Sequence, residues 1–126
     1  MSEIAGTGID LVSVPRIEEI ARKWEGRFLG RVFSDREIEY CKARANPYQH
    51  FAGRFAAKEA FFKALGRRVS WKTPEVLRPD SGRPIMHLRP PRPSDLPREY
   101  TAIHLSISHT RELATASVIL ERTDPG

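Results

Sequence analysis

An α+β fold is predicted by three features of the sequence: one strand pattern at the start, a run of capped helices to Gly66, and two turn-centred strand pairs after it. Strands and helices do not alternate, which argues against a repeating βαβ order and its parallel sheet. Helices packed on a mostly antiparallel sheet are expected, in a single domain spanning residues 1–126. No internal repeat is visible.

The first strand covers residues 4–12. Gly6 and Gly8 thin one of its faces, and Asp10 follows at the same period of two, at the strand's end. Ser13 and Pro15 start a helix. Its apolar stripe is Ile17, Ile20, Ala21, Trp24 and Phe28, with Arg16, Lys23 and Arg27 off the stripe. Ser34 and Glu37 make a capping box for a shorter helix carrying Ile38 and Cys41. Asn46, Pro47 and Gln49 open a third helix that continues to a stop at Gly66. Residues 75–78 and 84–88 flank the turn signal Asp80-Ser81-Gly82-Arg83. Five prolines from Pro84 to Pro97 make the next stretch an extended connector. Residues 100–108 and 113–120 form a second hairpin around His109-Thr110-Arg111-Glu112.

With 126 residues, 40% of them hydrophobic and 29% charged, the chain fits one globular domain with a modest core. No apolar run approaches the roughly 20 residues that span a bilayer. The opening MSEIAGTGIDLV lacks the basic-then-apolar order of a secretory signal, and the one cysteine, Cys41, cannot form an internal disulfide. A cytoplasmic protein is expected. Twenty-one Lys and Arg against sixteen Asp and Glu give a net charge of +5. That suits a polyanionic partner: nucleic acid, a phosphorylated small molecule or an acidic protein. The basic residues are spread along the chain, which disfavours a dedicated nucleic-acid arm.

The segment RFAAKEAFFKALG at 54–66 is the most informative. On a helix, Phe51, Phe55, Phe62 and Leu65 gather on one side, while Glu59 and Lys63 share an adjacent stripe with Ala56 and Ala60. This small-residue face can admit another backbone or a ligand. Alternatively, Glu59 and Lys63 form an ordinary surface pair worth ~0.3–0.5 kcal/mol. Asp10, within an apolar strand, is costly unless paired, hydrogen-bonded or metal-bound. It either accepts hydrogen bonds from the helix start or joins Glu59 as a second hard oxygen ligand, a set that suits Mg²⁺ with water and substrate phosphates. His104, Ser106 and Ser108 line one face of their strand, and His109 opens the turn, as a structural residue or a ligand contact. Zinc spacing, Gly-x-Ser-x-Gly and a phosphate-loop lysine are absent.

Taken together, GTGIDLVSVPRI at 6–17, FAGRFAAKEAFFKALG at 51–66 and HLSISHT at 104–110 closely resemble the holo-acyl-carrier-protein synthase family, the small phosphopantetheinyl transferases. The resemblance covers nearly the whole chain, in the family's order. It implies the family fold and transfer of 4′-phosphopantetheine from coenzyme A to a serine of apo-acyl carrier protein, releasing adenosine 3′,5′-bisphosphate. By the same resemblance, Asp10 and Glu59 hold Mg²⁺ and Lys63 lies near the transferring phosphate. Arg54 and His109, with Ser108 and Thr110 beside the latter, contact coenzyme A. Arg16 grips the acidic recognition helix of the carrier; Lys23 and Arg27 join it on helical geometry alone. Glu59, directly or through a water, is a candidate base for the serine. A homotrimer with active sites between subunits is also implied.

Two stretches depart from the family pattern. Gly66-Arg67-Arg68-Val69-Ser70-Trp71 replaces a glycine-rich connection, so Arg67 or Arg68 is expected to supply charge there. The proline-rich 90–97 replaces a region often helical. Rival readings are the same chemistry on a polyketide-type or other carrier, a basic nucleic-acid-binding module, and an inactive scaffold. The module would need exposed aromatics among its basic residues, whereas Phe51, Phe55 and Phe62 read as core. Asp10, Glu59 and Lys63 together argue against the scaffold.

Overall fold

The computed structural model describes residues 1–24, 26–80 and 82–123. In chain order these form β1 (Ser2–Ser13), α1 (Val14–Trp24), α2 (Gly26–Val32), α3 (Asp35–Lys42) and α4 (Pro47–Leu65). Then come β2 (Pro74–Leu77), β3 (Ile85–Leu88), a 3₁₀ turn (Arg98–Tyr100), β4 (Thr101–His109) and β5 (Leu113–Thr123). The α+β expectation holds, and every strand pairing is antiparallel. The strands form two sheets. Three lie in the order β1-β5-β4, so the last strand of the chain is the central one; β2 and β3 make a separate ribbon.

Helix α4 is the organising element because almost none of its surface is left to water. Phe51, Ala52, Ala56, Ala57, Ala60, Phe61, Phe62 and Ala64 are all buried. The expected single aromatic side is therefore only part of its contact surface, since Phe61 is buried as well. One core lies between α4, the three-stranded sheet and the ribbon. A second joins α1, α2, α3 and the first half of α4 around Phe33 and Phe51. With Phe51 and Phe62 buried and Phe55 stacked on Trp71, these rings serve packing and not base stacking.

The small-residue face of α4 admits a backbone. A Cβ built on Gly8 would sit 1.9 Å from the carbonyl oxygen of Ala60, and one on Gly6 would sit 2.0 Å from that of Ala64. Only glycine permits β1 to lie this close to the helix.

Local signals set the helix ends. Ser34 and Glu37 close the capping box in both directions. Gly66 stops α4 in the left-handed conformation, φ +84°, with its N–H donating to the Phe62 carbonyl at 2.8 Å. Gly82 adopts φ +89° in the ribbon turn; Ser81 of the same turn signal lies outside the described residues.

Three boundaries need correction. The first helical stripe does not run through to Phe28. Helix α1 ends at Trp24, and both Arg27 and Phe28 belong to α2, from which Phe28 packs against Phe33 and Phe55. Asp10 is internal to its strand, not at its end, because β1 stays in register with β5 out to Ser13 opposite Leu113. The proline-rich connector is not extended. Leu96 is buried, its N–H donates to the Pro93 carbonyl at 3.0 Å, and Arg92 Nε donates back to the Leu96 carbonyl. Asp95 anchors the segment as well, taking Arg67 on its carboxylate and Arg122 on its carbonyl.

Candidate active site

The close contact of β1 with α4 sets the site. Gly6 meets Ala64 and Gly8 meets Ala60, so strand and helix run in opposite directions. Asp10, two residues on and on the same face, reaches the level one helical turn earlier. Side chains on α4 tilt toward its N-terminus, which brings Lys63 back toward that level. Lys63 Nζ lies 3.1 Å from Asp10 Oδ1 and donates to the Ile9 carbonyl at 2.9 Å. Thr115 Oγ1, from the neighbouring central strand, donates to the Asp10 carbonyl at 2.8 Å.

Glu59 takes a different cation. Arg68 Nη1 and Nη2 lie 3.3 Å from its two carboxylate oxygens. Among the described residues Lys63 pairs with Asp10 and Glu59 with Arg68, so the local Glu59–Lys63 surface pair does not form. Both carboxylates are mostly shielded, with side chains 16% and 17% exposed, while their cations stand in solvent. The Arg68 guanidinium rests 5.5 Å from the ring centroids of both Phe62 and Trp71. No cluster of three or more His, Cys, Asp or Glu that could hold a metal occurs among the described residues. Two hard oxygen donors fit Mg²⁺, which commonly leaves the rest of its shell to water and phosphate.

A second constellation lies where α4 begins. Arg54 is buried, its guanidinium 4.2 Å from the Tyr40 ring centroid, and its Nε has no hydrogen-bond partner. The His50 ring meets Tyr40 at 5.9 Å and His109 at 5.3 Å, both edge to face. Burial, and after it the neighbouring His109, Arg54, Arg44 and Arg78, lower the His50 pKa to about 4. His109 is thus brought onto the same side as Arg54. Ser108 is not: it falls on the opposite face of β4, with Ser106 and His104. Thr110 Oγ1 accepts the N–H groups of Glu112 and Leu113 at 3.2 and 3.1 Å, so its hydroxyl shapes the turn.

A family model for the 4′-phosphopantetheinyl transferase superfamily matches residues 6–117. The chain belongs to that superfamily. A holo-[acyl-carrier-protein] synthase of Syntrophus aciditrophicus is 47% identical over 123 residues, covering 94% of this chain and 96% of the relative. One from Koribacter versatilis is 47% identical over 124 residues, covering 94% and 98%. Among solved structures, the Bacillus anthracis holo-(acyl-carrier-protein) synthase in complex with CoA (3′,5′-ADP) superposes with a TM-score of 0.79 at 36% identity, covering 95% of this chain and 98% of that one. The Neisseria meningitidis synthase superposes at 0.85 with 29% identity, covering 94% and 98%.

Beside Glu59 in the chain, Lys58 ties α4 to α3 and to the segment leading into β2. Lys58 is fully buried, and its ammonium spends all three donors: 2.9 Å to Glu37 Oε1, 2.9 Å to the Trp71 carbonyl and 2.7 Å to the Pro74 carbonyl. Glu37 in turn accepts the N–H groups of Ser34 and Val76, each at 2.9 Å. Glu75 joins the network through Ser34 Oγ at 2.5 Å and Arg36 Nη2 at 2.7 Å. Lys58 is not among the residues expected to matter, although its position on the Phe51–Phe55–Phe62 stripe is a signal of burial. Tyr40 and His50 were also missed, and nothing local marks them.

Arg16, Lys23 and Arg27 take no part in this network. Arg16 is exposed in the first turn of α1, where its N–H is capped by Ser13 Oγ at 3.2 Å. Lys23 lies 5.6 Å from the Trp24 ring centroid. Arg27 lines a shallow cleft with Ile20, Trp24, Phe28 and Arg31. The three basic residues therefore come from two helices, not one.

Proposed function

We propose that this chain transfers 4′-phosphopantetheine from coenzyme A to a serine of an apo-acyl carrier protein, with Asp10, Glu59 and Lys63 at the reacting centre. The observation that carries the reading is that β1 lies against α4 so that Asp10 meets Lys63, with Glu59 one helical turn before Lys63 on the same helix. In the reaction the serine oxygen bonds to the phosphorus carrying the pantetheine arm. The bond to the departing adenosine 3′,5′-bisphosphate breaks, and the serine proton is released. Such transfers need positioning and neutralisation of oxygen charge more than covalent help.

Asp10 and Glu59 would hold Mg²⁺, which when bound supplies positive charge at the diphosphate. Lys63 holds a cation beside Asp10, and with its side chain 54% exposed it can turn from Asp10 to a phosphate oxygen. Arg54 presents an unpartnered Nε–H, and His109 lies on its side of the helix start, a pair suited to phosphates of coenzyme A. Thr110 contributes by holding the turn that carries His109, and Ser108 acts only where the opposite face of β4 is reached by a partner.

The carrier would dock on α1 and α2. Arg27 and Arg31 line a cleft with the exposed Trp24 and the half-buried Ile20, Lys23 lies by the Trp24 ring, and Arg16 is exposed one helical turn before Ile20; an apolar strip with basic neighbours complements an acidic amphipathic helix. A polyketide-type carrier with such a helix would fit equally. A homotrimer is supported by the outer face of the sheet, where Ile9, Leu11, Leu113 and Ile119 are 67%, 65%, 46% and 37% exposed. A row of this size calls for a protein cover. Among the described residues no helix is long and apolar enough to cross a membrane, in keeping with a cytoplasmic enzyme. The test is direct: incubate the protein with coenzyme A, Mg²⁺ and apo-carrier protein, and follow the carrier's intact mass. Gain of one phosphopantetheine, lost on chelation, is expected; an unchanged mass at high enzyme concentration overturns the reading.

A further inference from the structure

We propose that Arg68 is a built-in counter-ion of Glu59, held on its carboxylate until a divalent cation takes it and then passed to the diphosphate of bound coenzyme A. The proposal rests on the reading above that Glu59 is a metal ligand. Arg68 forks onto both Glu59 oxygens, each contact 3.3 Å. A cation entering at Glu59 needs at least one of those oxygens, so guanidinium and metal compete for the same lone pairs. The contacts are at the long end of the hydrogen-bond range, which makes the pair exchangeable.

The surroundings give the guanidinium a place to go. It lies over Phe62 and Trp71, each centroid 5.5 Å away, and its side chain is 64% exposed. Trp71 is itself fixed, stacked on Phe55 at 5.3 Å with its carbonyl bound by Lys58 Nζ at 2.9 Å. Arg68 can therefore slide along a rigid aromatic shelf without unfolding the loop. Arg67, its neighbour, is committed elsewhere through Asp95, at 2.7 and 2.9 Å. Guanidinium forks match phosphate as well as carboxylate. The consequence is coupling: coenzyme A draws Arg68 off Glu59 and so tightens metal binding, and metal tightens coenzyme A binding by the same factor.

Mn²⁺ binding to the full chain, read by electron paramagnetic resonance with and without coenzyme A, tests this. In wild type, coenzyme A should tighten Mn²⁺ binding. In R68A, Mn²⁺ alone should bind about two- to fivefold more tightly than in wild type, the range an exposed ion pair allows. Coenzyme A measured without metal should bind more weakly, and the coupling factor should shrink to the part that the metal's own charge at the diphosphate supplies. R68K, which keeps the charge but not the fork and disturbs the shelf less, should fall between. E59Q serves as the control and should weaken Mn²⁺ binding. Equal Mn²⁺ affinity in wild type, R68K and R68A, with E59Q still weakened, overturns the proposal while leaving the metal reading intact. Wild-type Mn²⁺ affinity in E59Q overturns the metal reading itself, and the role of Arg68 falls with it.

Discussion

Lys58 Nζ lies 2.9 Å from Glu37 Oε1, and both side chains are closed to solvent. Removing one partner of a buried pair costs far more than removing both, because the survivor keeps its desolvation penalty. Lys58→Met should destabilise the protein by about 3–5 kcal/mol, with Lys58→Met/Glu37→Leu recovering part of the loss. Urea unfolding of the two variants measures this. A single variant as stable as wild type would show the pair to be expendable.

Variants of Asp10, Glu59 and Lys63 separate charge from packing. Asp10→Ala and Glu59→Ala should abolish transfer with the fold retained, and chelation should do the same to wild type. Lys63 is half exposed, so Lys63→Ala should cost at most ~1 kcal/mol in stability while lowering kcat severely. Comparing thermal melts with single-turnover rates separates the two. Full activity in Lys63→Ala would reduce its contact with Asp10 to a surface ion pair.

Carrier docking should be salt-dependent. Arg16→Glu should raise KM for the carrier with little change in KM for coenzyme A, and wild-type KM for the carrier should climb with ionic strength. Steady-state kinetics at two salt concentrations decide it. Unchanged carrier kinetics for Arg16→Glu at low salt would move the docking surface elsewhere, to the loop at Arg67 and Arg68.

His50 should impose an acid limit on stability. Its pKa is lowered from 6.5 to about 4, chiefly by burial, so the unfolded chain binds its proton more readily between those values. Stability is therefore lost as pH falls from about 6.5 toward 4, and His50→Gln should flatten that slope. Urea midpoints across the range, with an NMR titration of the ring, provide the check. A ring titrating near 6.5 would contradict the burial argument.

The sequence by itself determined what lies within one turn of the chain. The Ser34–Glu37 box, the Gly66 stop, the ribbon turn and the strand alternation all appear where their residue patterns place them, since each depends on neighbours a few positions away. Candidate chemistry was legible in the same way, because Glu59 and Lys63 share a helix face and Asp10 breaks an apolar strand. Tertiary structure alone decided the partners. Lys63 bypasses Glu59 for Asp10, 53 positions away, because Gly6 and Gly8 let β1 press onto α4. Glu59 turns to Arg68 because the loop after Gly66 folds back over Phe62 and Trp71. Lys58 lies on the Phe51–Phe55–Phe62 stripe, which marks it for burial, but its partner Glu37 is set by the packing of α3 against α4. Local patterns encode dihedral angles and faces; which faces meet depends on how the whole chain closes, and that choice set the charge pairing of the site.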